Sequence, residues 1–434
     1  MKPTFTLSPK IGDSLTPSPT LYINERVKAL WAAGETVYHL GFGESRFPVH
    51  PKIEKALAEN AHHSSYLPGP GIPQLRAAAA AYYAQRMGIE VTAQQVMVGP
   101  GSKSLLYALF TALDGDLILP TPSWVSYEPQ AKLRNRPVLR IPADPADFHS
   151  LHVDALRETL AQSEADQHVL MLNSPNNPTG QMLPAELLAE IADVCRATNT
   201  LVFSDELYGF IPHRDAHRSM AEFYPEGTVV LSGLSKHLSV GGWRLGVALF
   251  PPGEDGVRLL AAVNKVGSEI WSCAPAPVQY AALTAYSGDP EIEAYIAECT
   301  HLHAVRTHYL WEGLNELDIP SAEPQGGFYV FPNFDGRRAA LAAKGITTSA
   351  ELARHLLDEW QIASLPGSVF GAPPEELSLR LSASYVDMET DDKARHVLDV
   401  HRSGVDDDTL LREHHPMMNQ SLNQFHQFLD SLMD

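Results

Sequence analysis

One stretch organises the chain: residues 232–246 read Ser-Gly-Leu-Ser-Lys-His-Leu-Ser-Val-Gly-Gly-Trp-Arg-Leu-Gly. Apolar runs precede and follow it at 228–231 and 245–250, which predicts a loop between two buried strands. Its glycines lack a Cβ atom, so a flat ligand can approach the backbone closely. Lys236 could then form a Schiff base with an aldehyde cofactor. An ordinary surface loop with a solvated Lys236 and Arg244 accounts for these residues equally well.

The chain has 434 residues, of which 44% are apolar and 19% charged, and these values are typical of a globular protein with one large and one smaller domain. A net charge of −20 argues against a nucleic-acid partner, because phosphate binding needs clustered lysine and arginine. Cys195, Cys273 and Cys299 are too few and too widely spaced for a disulfide framework or a zinc site, which favours a reducing compartment.

Targeting signals and metal motifs are not evident. The N-terminus has no long apolar core and no run approaches the ~20 apolar residues of a membrane helix, so a cytoplasmic protein without a membrane partner is predicted. The 19 histidines show no metal-ligand spacing, so no metal site is predicted. The pairs His62-His63 and His414-His415 are expected at the surface.

Strands and helices alternate from Val96 onward, which predicts βαβ units and a mainly parallel sheet flanked by helices. A long helix is predicted from Leu283 to Glu316. Strands at 325–331 and 377–384 are assigned to a second, smaller α+β domain. The segment 406–434 is predicted to be a loop followed by a terminal helix.

Ligands of parallel sheets bind at the carboxyl ends of the strands, and the loops with unusual chemistry follow strands here. The residues expected to meet there are Gly101, Ser102, Lys103, Trp124, Asn177, Asp205, Tyr208, Lys236 and Arg244. Gly101-Ser-Lys103 lies at a predicted helix start, where N–H groups and the helix dipole favour an anion. Arg244 is suited to bidentate phosphate contact.

The remaining residues of this set are suited to a planar ring. Trp124 offers an aromatic face, and Asp205 could keep a ring nitrogen protonated. Asn177 and Tyr208 could donate hydrogen bonds to a phenolic oxygen and lower the pKa of a Schiff base. Together these residues provide each part of a pyridoxal-phosphate site.

Four segments in order resemble the class I/II aminotransferases, which are fold-type I pyridoxal-phosphate-dependent enzymes, and their bacterial aspartate-aminotransferase-like branch in particular. Asn177-Pro-Thr-Gly180 is similar to the family's Asn-Pro-Thr-Gly turn, and Asp205-Glu-Leu-Tyr208 to its Asp-x-x-Tyr. Residues 232–246 match the lysine block, and 120–127 the segment whose aromatic residue stacks on the cofactor. The resemblance covers about 21–384 and implies a seven-stranded-type sheet in the large domain.

The resemblance implies roles at the cofactor ring. Lys236 would bind the cofactor aldehyde and act as acid and base in the 1,3-proton shift. Asp205 would pair with the pyridine nitrogen, and Asn177 and Tyr208 would contact the ring oxygen, with Trp124 stacked on the ring.

It also implies how the phosphate is held. Gly101, Ser102, Lys103 and Arg244 would surround it. Tyr66 lies in a segment similar to the family's Tyr-x-x-x-x-Gly-x-x-x-Leu-Arg block and would reach the phosphate of the neighbouring subunit in a homodimer.

Substrate contacts and domain boundaries follow from the same resemblance. Arg380 would clamp the substrate α-carboxylate and Gly43 would contact it through its backbone, beside Asn177 and Trp124. The implied domains are 1–47, an N-terminal arm with part of the small domain, 48–311, the large cofactor-binding domain, and 312–434, the small C-terminal domain.

Two stretches depart from the family pattern. Gly43-Glu-Ser-Arg-Phe47 stands where the branch often reads Gly-Glu-Pro-Asp-Phe, so Arg46 either binds an acidic substrate side chain or is solvated. The arginine of dicarboxylate-specific relatives is missing from residues 268–273, which argues against aspartate specificity. Trp271 in that stretch either faces an aromatic or apolar substrate or packs in the core.

The predicted function is a transaminase that moves an amino group between an L-amino acid and a 2-oxo acid. The alternative is another pyridoxal-phosphate reaction on an amino acid, such as β- or γ-elimination, decarboxylation or oxidation, because the cofactor supplies the electron sink in each case. A non-catalytic DNA-binding regulator is disfavoured by the acidic chain. A nucleotide-binding protein is disfavoured because residues 99–103 lack the P-loop spacing.

Overall fold

A computed structural model describes residues 15–433, so the first fourteen residues of the predicted N-terminal arm lie outside the described part. The strands are β1 (Tyr38–His39), β2 (Val96–Gly99), β3 (Asp116–Pro120), β4 (Val138–Ile141), β5 (His168–Asn173), β6 (Thr200–Asp205), β7 (Thr228–Gly233), β8 (Gly246–Leu249), β9 (Tyr329–Val330), β10 (Ile362–Ala363), β11 (Leu365–Pro366) and β12 (Leu379–Ser382).

The helices are α1 (Pro19–Ala32), α2 (Pro51–Asn60), α3 (Pro73–Met87), α4 (Ser102–Ala112), α5 (Tyr127–Leu133), α6 (Val153–Leu160), α7 (Ala185–Ala197), α8 (Met220–Phe223), α9 (Gly253–Ile270), α10 (Ala276–Ala285), α11 (Pro290–Glu316), α12 (Arg338–Ala343), α13 (Ser349–Trp360), α14 (Asp391–Arg402), α15 (Asp407–His414) and α16 (Pro416–Ser431). Within residues 15–433, no helix is long and apolar enough to cross a membrane.

The largest element is a seven-stranded sheet with the order β2-β8-β7-β6-β5-β3-β4. Strand β8 runs antiparallel to both its neighbours, and the other neighbouring pairs are parallel. Every residue of β2, β5, β7 and β8 is buried, because helices cover both faces. This two-sided burial explains the continuous apolar runs in the sequence, and the predicted α/β fold with a mainly parallel sheet is confirmed.

Two small sheets join residues from opposite ends of the chain. Strand β1 pairs in parallel with β10, with Tyr38 opposite Ile362, and β12 lies between β11 and β9 in an antiparallel sheet. The N–H of Ser382 donates to the carbonyl of Leu40 at 2.8 Å. We propose from these contacts that the described parts of 1–47 and 312–434, residues 15–47 and 312–433, form the smaller domain and 48–311 the larger one.

Four local predictions were wrong. The helix predicted from Leu283 to Glu316 is two helices, α10 and α11, because Gly288 has a φ of +69° and Asp289 caps a new helix that begins with Pro290. The strand predicted at 325–331 is only the two residues of β9, and the segment after Asp406 forms two helices rather than one. His415, expected at the surface, is fully buried, and its Nδ1 lies 3.0 Å from the carbonyl of Leu410.

Candidate active site

A cavity of about 350 Å³ lies where the carboxyl ends of the parallel strands meet the two small sheets. Ten of the predicted site residues line it: Gly43, Ser102, Lys103, Trp124, Asn177, Asp205, Tyr208, Lys236, Arg244 and Arg380. Most of them follow strands of the large sheet, while Gly43 follows β1 and Arg380 lies in β12. Parallel strands place their carboxyl ends at one edge, so residues far apart in sequence meet there.

Lys236 extends into this cavity from the loop after β7. Its Nζ donates a hydrogen bond to the carbonyl oxygen of Gly43 at 2.7 Å and lies 5.6 Å from the ring centre of Tyr208. Burial lowers the pKa of Lys236 to about 8, and the positive charges of Arg380 and Arg244 act in the same direction. A substantial share of the amine is therefore neutral and nucleophilic near pH 8.

Asp205 is the last residue of β6 and lines the cavity. Its Oδ2 accepts a hydrogen bond from the Tyr127 hydroxyl at 2.7 Å, and its Oδ1 accepts one from the N–H of Leu207 at 3.2 Å. Burial raises the pKa of Asp205 to about 6, although these two hydrogen bonds favour the carboxylate. A cationic N–H group of a ligand would stabilise the ionised form of Asp205 if it lay against this carboxylate. Asp205 is therefore suited to bind such a group.

Asn173, the last residue of β5, positions two of the neighbouring groups. Its amide donates to the carbonyl of Asp205 at 2.8 Å, and its Oδ1 accepts from the N–H of Asn177 at 2.8 Å. Asn177 in turn accepts a 3.4 Å hydrogen bond from Arg380. The ends of β5 and β6 are therefore tied together at the cavity.

Arg380 is a fully buried cation. It donates to the carbonyl of Gly41 at 2.6 Å, and its guanidinium carbon lies 4.7 Å from the ring centre of Tyr329. Burial lowers its pKa. Within residues 15–433, Arg380 forms no ion pair with a carboxylate, so this buried charge is suited to an anionic ligand.

A second cationic region surrounds the start of α4. Gly101 has a φ of +89°, and a Cβ atom on it would lie 2.2 Å from the Arg244 guanidinium. A Cβ atom on Gly246 would lie 2.1 Å from the backbone nitrogen of Ser102, so both glycines permit a close approach that other residues would block. Lys103 stands over Trp124, with Nζ 5.1 Å from the ring centre, and burial lowers its pKa.

Gly43 lies against two tyrosines. The hydroxyls of Tyr208 and Tyr329 are 2.8 Å apart, and the Tyr329 hydroxyl lies 3.5 Å from the Gly43 carbonyl. A Cβ atom on Gly43 would lie 2.0 Å from that hydroxyl. Only glycine fits between Tyr329 and the cavity at this position.

Some residues singled out in the sequence lie elsewhere. Gly101 adjoins the cavity without lining it, and Tyr66 is 88% exposed and does not line it. Arg46 also does not line the cavity; it pairs with Asp391 at 2.8 Å and its side chain is only 25% exposed, so in this structure it is neither freely solvated nor at the cavity. Trp271 packs against the apolar cluster beside α4, which favours the core alternative.

Comparison with known proteins agrees with this geometry. The sequence profile of the family described as "Aminotransferase class I and II" matches residues 35–398. The chain belongs to this family. It is 36% identical to an aspartate aminotransferase of Geobacillus stearothermophilus over 388 residues, which is 87% of this chain and 95% of that protein.

Two further proteins are similar to this aminotransferase. An asparagine–oxo-acid transaminase of Streptococcus mutans is 30% identical, with 82% of this chain and 90% of that protein covered. The solved structure of the Thermus thermophilus aspartate aminotransferase with maleate superposes with a TM-score of 0.80 at 26% identity, covering 93% of this chain and all of that chain. The protein is a transaminase acting on an amino acid and a 2-oxo acid, and the alternative reactions are not favoured.

Pyridoxal phosphate is the cofactor of this aminotransferase, and the cavity fits it. An amine that reacts with aldehydes, a buried carboxylate for a protonated ring nitrogen and a glycine-lined cationic region for a phosphate all face one space. Lys103, Lys236, Arg244 and Arg380 form no ion pairs with carboxylates within the described part of the chain. Their charges are therefore suited to the phosphate and to a substrate carboxylate.

The cavity residues missed from the sequence include three with polar side chains that contact the predicted site residues: Tyr127, Asn173 and Tyr329. Asn173 and Tyr127 lie in segments that contain recognised motifs. Asn173 is a polar residue at the end of a strand and Tyr127 is an aromatic residue at the start of a helix, and these positions could have identified both as site residues. Tyr329 belongs to a strand far along the chain, and no spacing relates it to the lysine loop.

Proposed function

We propose that Lys236 binds the aldehyde carbon of pyridoxal phosphate and carries the proton during amino-group transfer. Its position in the cavity and its lowered pKa support this role. The bound cofactor supplies the electron sink for the carbanion at the substrate α-carbon. With its amine released by the incoming substrate amine, Lys236 Nζ would take up the α-proton and give it back two bonds away, as a 1,3-shift requires, and the Gly43 carbonyl would accept a hydrogen bond from it.

The other residues divide into three groups. Asp205 would keep the ring nitrogen protonated, with its carboxylate oriented by Tyr127. Asn177 and Tyr208 would donate to the ring oxygen, and Trp124 would supply an aromatic surface for the ring. Gly101, Ser102, Lys103 and Arg244 bind the phosphate through backbone N–H groups and cationic side chains.

Arg380 and Gly43 receive the substrate α-carboxylate in this proposal. The buried guanidinium without a carboxylate partner within residues 15–433 is the observation that supports it. Binding the carboxylate there would place the α-carbon near Lys236, because the Gly43 carbonyl already accepts from Lys236 Nζ. Asn177, hydrogen-bonded to Arg380, holds the guanidinium in place.

The proposed amino donor is L-aspartate. Relatives at 36% and 32% identity are named aspartate aminotransferase, although residues 268–273 lack the arginine expected of dicarboxylate-specific relatives. The test is a donor screen with cofactor-loaded protein and single amino acids, following by absorbance the conversion of the cofactor from aldehyde to amine. L-aspartate should react fastest among aspartate, asparagine, glutamate, alanine and phenylalanine. A faster reaction with phenylalanine or alanine would reject aspartate as the donor.

We also propose that the protein is a homodimer in which Tyr66 reaches the phosphate of the partner chain. The Tyr66 ring is 88% exposed, so it is available for contact with a partner chain, and this supports the proposal. Hybrid dimers of Tyr66→Phe and Lys236→Ala chains test this arrangement. In such a hybrid, the site that keeps Lys236 receives Tyr66 only from the other chain.

If Tyr66 acts across the interface, the Lys236-bearing site of the hybrid binds cofactor as tightly as the wild type. If Tyr66 acts within its own chain, that site shows the weaker affinity of Tyr66→Phe. A monomer in sedimentation experiments would end the dimer proposal directly.

A further inference from the structure

Three side chains outside the active-site cavity converge where α11, α14 and α15 meet. His301 lies on α11, His401 on α14, and Asp407 is the first residue of α15. One possible ligand atom from each lies within 4.8 Å of the others. We propose that His301, His401 and Asp407 form a zinc site that fastens α15 to α11 and α14.

The distances are close to those that a bound zinc ion requires. His301 Nε2 and Asp407 Oδ1 are 3.1 Å apart, and the ring centres of His301 and His401 are 5.5 Å apart. With Zn–N distances of about 2.0–2.1 Å and a tetrahedral angle, two imidazole rings bound to one ion have centres about 5 Å apart. Binding would therefore need only small side-chain movements.

The three groups are also free to act as ligands. Asp406, not Asp407, caps α15, because its carboxylate accepts from the N–H of Thr409 at 3.0 Å. His301 is the side-chain partner of Asp407 within residues 15–433, and His401 Nδ1 has no hydrogen-bond partner there. The Asp407 and His301 side chains are 42% and 47% exposed, which leaves access for an ion and for a fourth ligand from water.

Neighbouring contacts fix the spacing of the elements. Arg402, next to His401, forms two hydrogen bonds of 2.9 and 2.7 Å with Glu298, which lies one turn from His301 on α11. This pair neutralises the arginine that follows His401 in the sequence and links α14 to α11. Imidazole nitrogens with one carboxylate favour zinc over magnesium or calcium, which prefer oxygen ligands.

The site is separate from the aminotransferase chemistry. None of its three residues lines the active-site cavity, and His401 and Asp407 lie beyond residue 398, where the match to the family profile ends. Two of the three proposed ligands therefore lie in the C-terminal part after the shared family region, and His301 lies within that region.

Calorimetric titration of the cofactor-loaded enzyme with Zn²⁺ tests the proposal. Wild type should bind about one ion per chain, and His301→Ala and His401→Ala should each weaken binding at least about tenfold. His396→Ala is the matched control, because His396 is an exposed histidine on the same helix α14 and lies outside the cluster. It should bind Zn²⁺ as wild type does, and Mg²⁺ should give no saturable heat with any variant.

Thermal melting separates ligand loss from misfolding. With EDTA present, His301→Ala should melt like wild type because its side chain is half exposed, and added Zn²⁺ should raise the melting temperature of wild type and His396→Ala only. The proposal is overturned if wild type shows no saturable binding, if His301→Ala and His401→Ala bind like wild type, or if His396→Ala alone loses the ion.

Discussion

Lys236 is the residue on which the proposed chemistry depends, and its acidity gives a pH test. With a pKa of about 8, half of the amine is neutral at pH 8, compared with roughly one part in 300 for an ordinary lysine. The rate of cofactor capture by the apoenzyme should rise about tenfold per pH unit below pH 8 and level off above it. Stopped-flow absorbance measures this rate, and a rise that continues unchanged to pH 10 would contradict the lowered pKa.

Tyr127 tests how Asp205 is held. Tyr127→Phe removes the 2.7 Å hydrogen bond to the carboxylate, so the pKa of Asp205 should rise further. Hydrogen bonds to charged groups contribute about 1.5–3 kcal/mol, so the cofactor dissociation constant should increase roughly 10- to 150-fold. Tyr107→Phe is the control, because the Tyr107 hydroxyl forms no hydrogen bond within residues 15–433. Equal cofactor affinities of Tyr127→Phe and Tyr107→Phe would show that the Tyr127 hydroxyl does not contribute to cofactor binding.

Gly43 tests the close contact at the substrate side. In Gly43→Ala the new methyl group would meet the Tyr329 hydroxyl at 2.0 Å. Overpacking costs typically 1–3 kcal/mol of stability, and Tyr329, the side chain that must move, lines the cavity, so kcat/KM should fall by up to roughly 150-fold if that whole cost is borne by the active geometry. Gly336→Ala, where no atom lies within 4 Å of the added methyl, should leave kcat/KM unchanged. An unaltered rate in Gly43→Ala would mean that Tyr329 moves freely.

At the same scale, the sequence motifs predicted the residues that approach the cavity through strand-end loops. Asp205 and Lys236 each follow a buried strand, so strand periodicity and loop composition were enough to place them together. Tyr329 and the histidines of the proposed zinc site could not be found this way. Their contacts depend on how β9, α11 and α14 pack, and no chain spacing encodes that packing.

Among the elements, α16 completes a core rather than extending beyond it. Phe425 and Phe428 are fully buried and belong to one cluster with Leu310, Leu314 and Phe334. The Asp387 carboxylate accepts from the N–H groups of Met417 and Met418 at 2.9 Å, so it anchors the start of α16. The C-terminal segment is therefore part of the folded unit around β1 and β9.

Phe425→Ala should lower the free energy of unfolding by about 3–5 kcal/mol, because it leaves a cavity in this cluster. Val257→Ala on α9, where the side chain is 56% exposed, should change it by less than about 0.5 kcal/mol. Urea denaturation followed by circular dichroism measures both. A midpoint for Phe425→Ala equal to that of Val257→Ala would show that α16 contributes little to the core.

Element boundaries were less predictable than element types. Helical periodicity continues through 283–316, yet Ser287-Gly288-Asp289-Pro290 ends one helix and starts another. The glycine, the capping aspartate and the proline are helix-end and helix-start signals in the sequence. The continuous apolar pattern nevertheless led to the prediction of a single helix. Strand β9 is short because it pairs with β12 only at Tyr329 and Val330, while Gly326 forms a separate isolated bridge with Pro212.

At the scale of the whole molecule, the site is assembled by the convergence of distant segments. Lys236 comes from the large sheet, and Gly43 and Arg380 come from the small sheets at either end of the chain. Lys103, Lys236, Arg244 and Arg380 line this junction and form no ion pair with a carboxylate inside residues 15–433, although the chain as a whole carries a charge of −20. The anionic groups of the cofactor and the substrate would therefore balance the positive charges of these side chains.

Borohydride reduction of the cofactor-loaded protein, followed by peptide mass spectrometry, addresses the central assignment most directly. The reduced cofactor should be found on the peptide containing Lys236, and Lys236→Ala should bind cofactor without covalent labelling and lose turnover. Labelling of another lysine, or full turnover by Lys236→Ala, would contradict the role assigned to Lys236.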